Sequence, residues 1–66
     1  MHQVGDLLMF SEGALGQIIK EKGYKYQIYW FHEDTDYWYL SSSVHEFKQN
    51  LSSYIKYRDR HESSNR

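Results

Sequence analysis

Apolar and polar positions follow a two-residue rhythm over the first forty residues and a three-to-four-residue rhythm afterwards. That change predicts strands first and a helix last. Residues 4–10 (VGDLLMF) predict a first strand, and Ser11, Glu12 and Gly13 a turn. Residues 17–21 predict a second strand, with Gly16 beside it as the site of a bulge or tight bend. Lys22 and Gly23 predict a hairpin turn, because glycine enters positive φ without steric cost. Residues 24–31 (YKYQIYWF) alternate most regularly, setting Tyr24, Tyr26, Ile28 and Trp30 on one face and Lys25, Gln27, Tyr29 and Phe31 on the other. A polar turn follows at 32–36 (HEDTD), then a fourth strand at 37–42. Ser43 and Glu46 have capping-box spacing. Behind them Val44, Phe47, Leu51, Tyr54 and Arg58, widened by Ile55, form an apolar stripe predicting an amphipathic helix over about 44–57. The reading is one domain over 1–57 and a polar, flexible tail over 58–66.

Size sharpens the meaning of the aromatics. A domain of 66 residues buries only about 60% of the surface its unfolded chain exposes. The chain has no cysteine, so neither a disulfide nor a thiolate zinc site staples it. Bulky rings, at about 150–250 Å² each, must fill much of the core. Most of the twelve aromatics lie within 24–31 and 37–40, more than so small a core can hide. Tyr26, Ile28 and Trp30 read as the inward face. The opposite face is apolar enough to need a cover, either the helix or another molecule.

Three segments together resemble a known pattern: Val4-Gly5-Asp6-Leu7-Leu8, then Gly13-Ala14-Leu15-Gly16-Gln17-Ile18-Ile19, then Tyr26-Gln27-Ile28-Tyr29-Trp30. They resemble the SH3-like barrels, including the Tudor and KOW-type groups, and the small SH3-like proteins of tailed bacteriophages. The resemblance covers residues 4–40. It implies a mostly β fold with a C-terminal helix: a strongly bent antiparallel barrel of four to five strands, capped by the amphipathic helix. The chain departs from the pattern where many such barrels place a 3₁₀ turn and a fifth strand, having a long helix instead.

Charge and motifs narrow the function. Residues 1–55 carry four lysines against seven acidic residues, whereas 56–66 carry four basic residues against Asp59 and Glu62. An acidic body is a poor match for nucleic-acid phosphates. No apolar run reaches the length of about 20 residues that spans a bilayer, and a soluble, cytoplasmic protein is expected (host cytoplasm or virion, if phage-encoded). The sequence has no Gly-x-Ser-x-Gly elbow, phosphate loop or dinucleotide fingerprint. Its four histidines form no zinc-binding spacing, and the 32–36 turn lacks the glycine-bearing spacing of a calcium loop. No catalysis, cofactor or metal is expected. The expected function is protein binding, to itself or to a host protein, by a small phage or prokaryotic accessory protein. Its surface would be Tyr29, Phe31, Tyr37 and Tyr39, rimmed by Lys25, Asp34 and Asp36. The alternative is nucleic-acid binding by aromatic stacking together with Lys56, Arg58 and Arg60. A third reading, a cage for a methylated ammonium, requires three aromatics converging beside a carboxylate.

Overall fold

The computed structural model describes residues 2–64, the side chains of Glu12 and 59–64 excepted. Four strands form one antiparallel meander: β1 (Leu7–Met9), β2 (Leu15–Lys22), β3 (Lys25–Trp30) and β4 (Thr35–Leu40). A 3₁₀ turn (Ser11–Gly13) joins β1 to β2, and a single helix α1 (Ser41–Ser64) follows β4 directly. The protein is therefore mostly β with one C-terminal helix. The sheet is open: its edges β1 and β4 do not pair, and no fifth strand occurs among the described residues. The expected barrel closure is not formed. In place of a fifth strand, α1 crosses one face of the sheet and packs chiefly against β1.

Local chemistry explains the turns. Lys22 pairs with Lys25, so the β2–β3 hairpin turns on Gly23 and Tyr24, one residue later than the sequence suggests. Gly23 has φ 63°, and Tyr24 is not among the positive-φ residues. This is the glycine-first turn whose twist suits a hairpin. The β3–β4 connection is a four-residue turn, Phe31 to Asp34, closed by the N–H groups of Glu33 and Asp34 donating to the Trp30 carbonyl at 3.3 and 2.9 Å. Asp34 completes it in the left-handed region at φ 53°, which aspartate tolerates better than most residues.

The bulge falls at Ile19, not at Gly16. Ile18 pairs with Ile28 and Lys20 with Gln27, leaving Ile19 as the extra residue. Gly16 serves a different purpose. It lies opposite Trp30, and a Cβ there would meet Trp30 Cε3 at 2.6 Å and Cζ3 at 2.7 Å. The indole lies on bare backbone.

The core confirms the inward face. Leu8, Ile18, Tyr26, Ile28, Trp30, Val44 and Phe47 form one buried cluster, with Tyr39 packed against it. The helix begins at Ser41, so Ser43 and Glu46 lie inside it and not at its entry. It runs on through positions expected to form a tail. Among its described side chains only Val44 and Phe47 are buried, whereas Tyr54, Ile55 and Tyr57 are exposed. At about 1.5 Å per residue, a helix of 24 residues outruns the sheet, consistent with extents of 45 × 25 × 17 Å. Polar contacts fix its near end. Lys48 Nζ donates to Asp6 Oδ2 at 2.6 Å, and Asn50 Nδ2 to the Met9 carbonyl at 3.1 Å. Among the described residues no helix is long and apolar enough to cross a membrane.

Candidate functional site

The strand register sorts the expected surface residues onto two faces. Tyr39 pairs with Tyr26 and Tyr37 with Ile28, so both tyrosines share the helix-covered face. Asp36 pairs with Tyr29, Trp38 with Gln27 and Leu40 with Lys25, so these lie on the opposite, outer face. The proposed set of Tyr29, Phe31, Tyr37, Tyr39, Lys25, Asp34 and Asp36 is thus not one surface. A side-chain period of two allows no other outcome once the register is set.

On the outer face, Tyr29 and Phe31 meet edge to face at 5.4 Å between centroids. Tyr29 donates its hydroxyl to Asp34 Oδ1 at 2.5 Å, and this carboxylate, with some burial, raises the phenol above its ordinary value of 10.0. Gln27 Nε2 donates to Asp36 Oδ1 at 2.6 Å. Phe31 is 47% exposed and Trp38 45%. The helix does not cover them. Lys25 and Gln27 interrupt the rings, making this face a mosaic and not a continuous apolar patch.

On the helix side the aromatics converge. Phe10, Trp30, Tyr37 and Tyr39 line one open groove of about 660 Å³, together with His32 and Glu33. Phe10 comes from the connection after β1, Trp30 from β3, and both tyrosines from β4. Phe10 follows β1 directly and meets Trp30 at 5.9 Å and Phe47 at 5.7 Å. Trp30, 3% exposed, forms the floor between Gly16 and the helix. Its Nε1 donates to the Tyr39 hydroxyl at 2.9 Å, and the two rings stand at 88°. Phe47 props Tyr39 from behind at 5.2 Å, rings at 89°. Tyr37, 52% exposed, stands one alternate position along β4. The β3–β4 turn supplies Glu33, whose carboxylate lies 3.5 Å from His32 Nε2.

Such a groove suits a flat or cationic group. Aromatic faces attract ammonium or guanidinium groups within about 6 Å of the ring centroid, and the carboxylate beside them adds charge of the right sign. The volume lies in the range of about 300–1,000 Å³ common for ligand sites. Phe10 was missing from the sequence-based set. Its signal was weak, since a single phenylalanine at a strand end looks like core. Trp30 was assigned to the core, and its edge also serves the groove.

The basic residues lie elsewhere. Lys56 and Arg58 are exposed on the far half of α1, and the side chain of Arg60 lies outside the described residues. No group of three His, Asp or Glu residues placed to hold a metal occurs among the described residues. Comparison with protein-family models, curated proteins and solved structures gave no match.

Proposed function

We propose that this chain is a non-catalytic protein-binding module whose aromatic groove seats a basic side chain of its partner. One observation carries the reading: Phe10, Trp30, Tyr37 and Tyr39 line a single groove together with Glu33. The Glu33 carboxylate among the groove's lining residues favours a cationic partner over an anionic one. The sequence resemblance to SH3-like proteins, including those of tailed phages, agrees with a small accessory protein that binds another protein. In this reading the open sheet with its docked helix is a variant of that architecture.

The test is an NMR titration with three short peptides of one sequence, carrying at one position lysine, trimethyl-lysine or glutamate. The Trp30 indole N–H and the backbone amides of Tyr37 and Tyr39 are expected to shift with the cationic peptides only. Tyr37→Ala is expected to weaken binding about tenfold, since cation–π contacts are worth about 0.5–2 kcal/mol. Equal shifts with the glutamate peptide, or none with any, would overturn the proposal.

A further inference from the structure

The two edges of the sheet are treated very differently. β1 is three residues long, lies under α1, and has its Met9 carbonyl held by Asn50. Such an edge offers little to a second strand. β4 is six residues long and pairs with β3 without a bulge from Thr35 to Leu40. Its outer edge carries no proline or lysine and one charge, Asp36. Among the described residues, no backbone hydrogen bond outside the strand ladders involves residues 35–40. Natural sheets blunt long edges with lysine, proline, bulges or a covering element. Here every one of those devices is missing, on a β-prone run, TDYWYL.

We propose that β4 is a self-association edge: two copies of this chain pair their β4 strands antiparallel, making one continuous eight-stranded sheet. Charge selects a second copy as the occupant. The acidic turn precedes β4, and the first turn of α1 follows it with no acidic residue. The Ser41 N–H donates to the Tyr24 carbonyl at 3.1 Å, and the positive end of the helix dipole lies at that start. Antiparallel pairing carries the acidic turn of each copy toward the helix start of the other, twice by symmetry. Parallel pairing would set acid against acid. A net charge of −1 leaves little repulsion between whole copies.

Faces must match across the junction, which limits the register to even offsets. The register centred on Trp38 places it opposite Trp38 of the second copy, Tyr37 opposite Tyr39, and Asp36 opposite Leu40. Like charges are then never opposed. Trp38 faces away from the groove, whereas Tyr37 and Tyr39, which line it, also lie along the paired edge.

The absence of cysteine makes the test direct. Directly opposed residues have Cα atoms about 4.5–5.5 Å apart, within disulfide range. Trp38→Cys is expected to oxidise to a covalent dimer, whereas Lys20→Cys, on the same face but two strands inward, is expected to stay monomeric. Sedimentation of the wild-type protein is expected to show a dimer that grows with concentration, and Trp38→Lys to remain monomeric with an unchanged circular dichroism spectrum. A wild-type monomer at millimolar concentration overturns the proposal, even if an extended peptide from another protein binds β4. A dimer that persists in Trp38→Lys, or equal cross-linking at both cysteine positions, also overturns it.

Discussion

Gly16 shows how a single missing side chain places a functional one. The Trp30 ring packs where a Cβ would sit, with Ile28 Cγ2 only 3.0 Å from that point. Overpacking of this kind costs about 1–3 kcal/mol. Gly16→Ala is therefore expected to lower the melting temperature by roughly 4–24 °C, at about 4–8 °C per kcal/mol for a small domain. The Trp30 indole N–H resonance should shift as the ring is displaced. An unchanged melting temperature would show that Trp30 has room to move. Tyr39 has a second role at this scale. Tyr39→Phe removes the acceptor of the part-buried Trp30 N–H, and an orphaned donor costs about 1–3 kcal/mol. Thermal unfolding should register that loss, and an unchanged midpoint would mean that water replaces the hydroxyl.

Among the elements, the helix divides into a docked half and a projecting half. Phe47 touches Phe10, Trp30 and Tyr39, so Phe47→Ala is expected to cost about 3–5 kcal/mol, much of the stability of so small a domain. Ile55, half-exposed beyond the sheet, should tolerate alanine within about 0.5 kcal/mol. Urea unfolding of the two variants distinguishes the halves, and similar losses in both would mean that the distal helix is also packed. The helix is tied to β1 by Lys48 and Asp6. Hydrogen bonds from Lys48 and from the Gln3 N–H hold the Asp6 carboxyl below its ordinary value. Its contribution is therefore present above about pH 4 and is lost as pH falls through the lowered folded value. His2, against the Tyr26 ring, is held below 6.5, chiefly by burial and then by the charge of Lys48. Its contribution is present above about pH 6.5 and fades as pH falls through its folded value. Stability should thus decline in two stages on acidification, and Lys48→Met should flatten the more acidic stage. An unaltered acid limb in that variant would remove Asp6 as its origin.

For the whole molecule, the distribution of charge weighs against the nucleic-acid alternative. The aromatic groove opens beside Glu33, whereas Lys56 and Arg58 lie far along α1. No retardation of single-stranded DNA or RNA is expected at physiological salt, and a gel shift weakening steeply with salt would revive that reading.

The order of elements, the inward Tyr26–Ile28–Trp30 face and the change of period at the helix were legible because each depends on local spacing. Composition pointed to rings in the core, and Tyr26, Trp30 and Phe47 do lie there, beside the aliphatic Leu8, Ile18, Ile28 and Val44. Strand register was not legible. It depends on pairing across the hairpins, and it alone moved Tyr37 and Tyr39 away from Tyr29 and Phe31. The meaning of Gly16 was equally hidden, because a glycine required by a ring on the neighbouring strand looks in sequence like one required by a bend. Whether the sheet closes, and which face the helix covers, were decided by long-range packing between α1 and β1. Local sequence made the rings abundant; tertiary contacts gathered Phe10, Trp30, Tyr37 and Tyr39 into one groove and left β4 with an open edge.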